Sequence, residues 1–166
     1  MKMGLLVVDM QKIFLHDPKE KLDVREACEH INYVSGLLRG KDQMVIHIQD
    51  MEGSNEDTDP EAREFISEIT VGPKDIRITK EYSNAFWKTN LEQVLREHEI
   101  GFVVVAGFAA EYCVTFTANG AMERGFQAAI LQRGIVSTKP DAINSIYRDR
   151  HIISWPAIQF MMNTIV

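Results

Sequence analysis

Six short apolar runs, rich in Val, Ile and Leu and lacking polar alternation, punctuate the chain: Gly4 to Val8, Met44 to Ile48, Ile76 to Ile78, Phe102 to Ala106, Ala128 to Leu131 and, more weakly, Ile152 to Ser154. A strand with one face in water alternates apolar and polar residues, so runs of this kind call for strands covered on both faces. Between them the spacing turns helical. Residues 20 to 39 place Leu22, Ala27, Ile31, Val34, Leu37 and Leu38 near helical spacing, with Gly40 as the stop. Further helical segments are expected at about 60–69, 89–98, 111–124 and 140–149, with a short one after Pro156. Strands alternating with helices predict a three-layer α/β fold, a parallel sheet with helices on both faces, in one domain over residues 1–166.

Composition narrows the partners. With a net charge of −6 at pH 7 and no block of consecutive Lys or Arg, the chain carries no footprint for nucleic acid or a membrane surface. A small-molecule partner is expected. The opening MKMGLLVVDMQ has an apolar run that Asp9 ends, too short for a secretion signal or a membrane span, so the cytoplasm is the expected compartment. The 2 cysteines, Cys28 and Cys113, suffice for neither a disulfide framework nor a four-cysteine metal site.

In open parallel sheets, ligands sit beyond the carboxyl ends of the strands. Three reactive side chains stand at those ends: Asp9 closes the first strand, Lys80 the third, and the fourth feeds the loop that delivers Cys113. Alone, each has a plain reading. Asp9 would be a turn former, Lys80 a solvated charge, and Cys113 a small buried hydrophobe. Their common placement points elsewhere. A thiol is mostly protonated at neutral pH, and a carboxylate to take its proton with a cation to favour the thiolate would make it a nucleophile. The first turn of a helix after strand four and a glycine-containing turn would add favourable dipoles and main-chain donors. Cys28, on a helix with Ala27 and Ile31, reads as structural.

Three blocks carry a resemblance: LLVVDMQKIF at 5–14, TKEYSNAFWKTNLEQVL at 79–95 and VVVAGFAAEYCVTFTANGAMERGF at 103–126. Together they resemble the isochorismatase-like cysteine hydrolases, a group that includes nicotinamidases and N-carbamoylsarcosine amidases. The resemblance implies a Rossmann-like sheet of about six parallel strands and a triad of Asp9 as general base, Lys80 as electrostatic partner and Cys113 as nucleophile. It implies a cis peptide between Phe108 and Ala109 and an oxyanion hole from the N–H groups of Ala109 and Cys113. It also implies a cysteine-dependent hydrolase that cleaves an amide-type carbon–nitrogen bond through a thioester, in a homo-oligomer, dimer or higher. Phe14, Phe86, Trp87, Tyr112 and Phe116 fall in or near these blocks; the first four are the candidate pocket walls.

The chain departs from the pattern in ways that bear on cofactor and substrate. Nicotinamidases carry a metal on an Asp, a His two residues on and a further His; here the stretch reads Asp50-Met51-Glu52, and no His lies between His47 and His98. Asp50, Glu52 and Asp57 read either as an exposed acidic loop or as an oxygen-rich cation site. No catalytic metal and no cofactor are expected. Gln132-Arg133-Gly134 and Ala110 also differ from common family residues. His47 reads as a buried hydrogen-bonded imidazole, and His16 is the other histidine weighed as a ligand or base. Two alternatives stay open: a vinyl ether hydrolase of the isochorismatase type, which the thiol argues against, and a thiol-based binding or redox-sensing module.

Overall fold

The computed structural model describes residues 2–15 and 21–164. Six parallel strands form one sheet: β1 (Lys2–Val8), β2 (Met44–Asp50), β3 (Ile76–Lys80), β4 (Ile100–Phe108), β5 (Gln127–Val136) and β6 (Ile152–Ile153). Their order across the sheet is β3-β2-β1-β4-β5-β6, so the chain reverses direction of growth between β1 and β4. That reversal opens a crevice at the carboxyl ends of the two central strands, where such sheets bind ligands.

The helices are α1 (Lys21–Arg39), α2 (Pro60–Arg63), α3 (Leu91–Glu97), α4 (Thr115–Glu123), α5 (Ala142–Asp149) and α6 (Trp155–Thr164). Side chains on β1 alternate between two cores, as the two-residue period of a strand demands. Leu5 and Val7 pack with Ile31, Val34 and Leu38 of α1 and Ile158 and Met162 of α6. Leu6 and Val8 pack with Leu91 and Leu95 of α3, Ala118 and Ala121 of α4 and Ile146 of α5. The three-layer expectation holds because every central strand buries both faces. Among the described residues no helix is long and apolar enough to cross a membrane.

Three expectations change. The segment expected to be helical over 60–69 forms only the single turn of α2, capped by the Asp59 carboxylate accepting from the Glu61 N–H. Beyond it Phe65 bridges to Gln11 and, with Ile66 and Ile69, is buried. Their near-helical spacing reflects burial along an irregular segment. β2 runs two residues past Ile48, which carries Asp50 into the sheet. Between β4 and α4 the backbone makes a π-helical turn over Ala110–Val114, with the Val114 N–H donating to Ala109 O at 3.2 Å. His16 lies outside the described residues. His47 is fully buried and its Nε2 meets Asp75 Oδ2 at 2.9 Å. Burial holds its imidazole below the usual range, against the pull of Asp75, so it stays neutral.

Candidate active site

Strand ends assemble the site. Asp50 of β2 and Lys80 of β3 are register partners, which brings their side chains together at the edge of the sheet. Asp9 follows β1 with φ 51, a left-handed conformation that Asp tolerates better than most residues, and its N–H donates to Ile48 O at 3.0 Å. The Lys80 side chain is fully buried. Its ammonium lies 2.9 Å from Asp9 Oδ2, 2.7 Å from Asp50 Oδ2 and 3.5 Å from Cys113 Sγ. The three residues singled out from the sequence therefore meet, and a fourth, Asp50, joins them.

Cys113 sits in the π-helical turn, one turn ahead of α4, and is half-buried. Inserted π turns are frequent where a helix must re-aim a side chain at a functional site. The turn is reached through Gly107, with φ +114, and a cis peptide between Phe108 and Ala109, as the resemblance implied.

Electrostatics set the protonation states. Burial pushes the Asp9 carboxyl up to about 6, although Lys80 pulls it the other way. Burial and the neighbouring Asp9 push the Cys113 thiol up to about 12, against Lys80. For Lys80 burial acts downward, but Asp9, Cys113 and Asp50 more than offset it, and the ammonium stays charged. At neutral pH the resting trio is thus carboxylate, ammonium and thiol. Asp9 Oδ2 pairs with Lys80, and the Asp9 carboxylate is also within side-chain hydrogen-bonding reach of the Cys113 thiol, whose proton it can accept.

A cavity of about 430 Å³ opens over these groups, lined by Asp9, Phe14, Phe108, Ala109, Tyr112 and Cys113, among others. Phe14 stacks on Phe108, and Lys139 caps Tyr112, its ammonium over the ring and bonded to the hydroxyl. Phe86 and Trp87 are not on its wall. Phe86 is core, stacked on Phe126, and Trp87 is exposed, while Ser83 is the residue of that segment on the wall.

Asp50 is not part of an exposed acidic loop. It is buried, its Oδ2 holds Lys80 and its Oδ1 accepts the Glu52 N–H at 2.7 Å, while Glu52 and Asp57 are exposed. With both Asp50 oxygens engaged, Asp50, Glu52 and Asp57 do not fit a cation site of the nicotinamidase kind. Ligand atoms of Asp9, Asp50 and Cys113 lie within 4.8 Å of one another, but the Lys80 ammonium already occupies their midst. Two further residues escaped the sequence reading. Gln11, fully buried, donates to Asp50 O and Arg63 O at 3.0 and 2.7 Å and accepts from the Asp50 N–H at 2.7 Å, so it clamps β2 to the connection after it. Its place in the VVDMQ block was the available signal. The other is Arg63, buried beside the cavity, for which a lone Arg in a polar stretch gave none.

A thiol, a carboxylate and an ammonium in contact at the switch point of a parallel sheet are the layout of an α/β cysteine hydrolase. The chain belongs to the isochorismatase family: the isochorismatase domain model matches residues 3–148. An isochorismatase family protein of Bacillus subtilis, YrdC, is 31% identical over 153 residues, covering 89% of this chain and 81% of that one. The structure of N-carbamoylsarcosine amidase from Thermoplasma acidophilum superposes with a TM-score of 0.79 at 24% identity, over 93% of this chain and 95% of that one. Nicotinamidase from Bacillus subtilis superposes at 0.76 with 22% identity, over 90% and 96%. At these identities the two structures speak to the fold.

Proposed function

We propose that the chain hydrolyses a carbon–nitrogen bond of a small amide through a thioester on Cys113. The observation that carries this reading is the contact of one buried ammonium with Asp9, Asp50 and the Cys113 sulfur at the floor of an open cavity. Asp9 takes the thiol proton as sulfur attacks the carbonyl carbon. With the thiol at about 12 and the carboxyl at about 6, that transfer is uphill in the resting site and proceeds together with carbon–sulfur bond formation. The N–H groups of Ala109 and Cys113, both on the cavity wall, hold the oxyanion. Protonated Asp9 returns its proton to the leaving nitrogen. Water then cleaves the thioester with Asp9 as base, and the enzyme regains its thiol.

The pH profile of Cys113 alkylation by iodoacetamide tests the acid–base pair without a known substrate. Asp9 must be ionised, so the rate falls as pH drops through about 6. In Asp9→Asn the acid limb disappears and the neutral-pH rate drops by about 10²-fold, the lower end of what a positioned base supplies. A wild-type profile with no inflection there would remove Asp9 from the role. An ammonia-release screen of small amides then follows, with Cys113→Ala as the inactive partner.

On the same reading the protein is a cytoplasmic homo-oligomer. Trp87 and Phe116, exposed by 52% and 51%, support an apolar contact between copies. Light scattering across a concentration series is expected to give at least a dimer mass, and a monomer throughout would refute the assembly.

A further inference from the structure

Arg63 ends α2 with 8% of its surface exposed and shares the cavity wall with Asp9 and Cys113. A guanidinium removed from water needs a carboxylate or a full set of acceptors. Arg63 has neither. Among the described residues it forms no ion pair; Nη1 donates to Asp50 O at 3.2 Å, Nη2 to Glu52 O at 2.8 Å, and Nε meets no acceptor. The acids nearby are otherwise engaged. Asp9 and Asp50 share Lys80, Glu52 is exposed, and Glu111 accepts the Ser137 hydroxyl at 2.7 Å. Lys80 carries one charge against those two carboxylates, so Arg63 brings the buried set to neutrality, and Nη1 and Nη2 each keep a second N–H beyond their main-chain bonds.

Resting on the amidase reading, we propose that Arg63 is a specificity residue and that the substrates are small amides bearing a carboxylate close to the scissile carbonyl. A planar guanidinium matches a carboxylate in shape and hydrogen-bonding pattern. With Lys80 spent on Asp9 and Asp50, Arg63 and Lys139 are the cations of the wall, set among Glu52 and Glu111, a balance that suits a monoanion better than a phosphate dianion. The competing account makes Arg63 a brace for the connection between β2 and α2, acting only through structure.

Iodoacetate and iodoacetamide separate the two accounts, because they deliver nearly the same carbon to sulfur with and without a carboxylate. The readout is the ratio of their alkylation rates at Cys113, divided by the same ratio for N-acetylcysteine. Wild type is expected to favour iodoacetate by about tenfold on this scale, the effect of 1.4 kcal/mol of attraction. Arg63→Met is expected to bring the ratio to one or below. A brace would change both rates alike and leave the ratio unmoved. Should Arg63→Met fail to fold, protection of wild-type Cys113 gives the same answer: malonamate slows iodoacetamide at lower concentration than malonamide if the inference holds. A wild-type ratio of one, with Cys113 still reactive toward iodoacetamide, overturns the carboxylate inference alone. A Cys113 inert to both reagents overturns the cysteine-hydrolase reading beneath it.

Discussion

Replacing Lys80 with Met is expected to cost about 3–5 kcal/mol of folding stability near pH 8, because it strips two buried carboxylates of their shared cation while keeping the side-chain volume. The Lys80 side chain is inaccessible to water, and its ammonium is the ion-pair partner of both Asp9 and Asp50. Both acids are buried, Asp9 directly after a central strand and Asp50 held by Gln11 and the Glu52 N–H. The cost has a defined pH dependence. Asp9 already sits near 6 in the folded protein, above the unfolded value of about 3.9, and losing Lys80 raises it further. A carboxyl whose folded value is raised contributes its full stability below the unfolded value and loses it as pH climbs through the folded one. The deficit of the variant therefore shrinks as the medium is acidified toward about pH 5, where Asp9 takes up its proton. Urea denaturation at several pH values measures this. A penalty independent of pH, or one below 1 kcal/mol near pH 8, would mean that the buried charges are not balanced as described. Asp50→Asn added to Lys80→Met is expected to recover part of the loss.

The same trio shows where sequence suffices and where it stops. Asp9 and Lys80 were legible because each stands at the end of a run whose apolar character demands a buried strand, and strand ends in a parallel sheet are where chemistry gathers. Asp50 was not. It lies two residues beyond the apolar run of β2, among polar neighbours, and only the β2–β3 register that sets it opposite Lys80 tells it from a loop acid. Phe86 and Trp87 show the reverse: nearness in sequence to Lys80 does not decide which side chains reach the cavity, since Ser83 lines it and those two do not. The π turn that presents Cys113 inserts an extra residue into a segment whose composition is ordinary for a helix, so no periodicity betrays it. The fold was readable because six doubly buried strands leave few arrangements. The site was readable only as far as it coincides with strand ends.

Gly107→Ala is the second large effect, expected to cost on the order of 4 kcal/mol or more and to abolish Cys113 reactivity together with stability. Gly107 has φ +114, where side chains are strained by about 1–3 kcal/mol even with room to spare. There is no room. A Cβ would lie 2.1 Å from Val8 O and 2.8 Å from Val8 N, both main-chain atoms of the strand to which Gly107 is paired. Relief requires β4 to separate from β1 in the middle of the sheet, where Val8, Val105 and Ala106 are fully buried. Gly36→Ala is the matched control. Gly36 lies within α1 with nothing within 4 Å of its Cβ, and Ala there is expected to gain up to about 1 kcal/mol from helix propensity. Thermal and urea unfolding of both variants, with iodoacetamide mapping of Cys113, give the comparison. A Gly107→Ala protein within 1 kcal/mol of wild type would mean the two strands part without penalty. The position matters to function for the same reason that it matters to folding: Val8 leads directly into Asp9, and Gly107 into the turn that carries Cys113. The contact that only a glycine permits sets the distance between base and nucleophile, so a substituent there separates them whether or not the sheet survives.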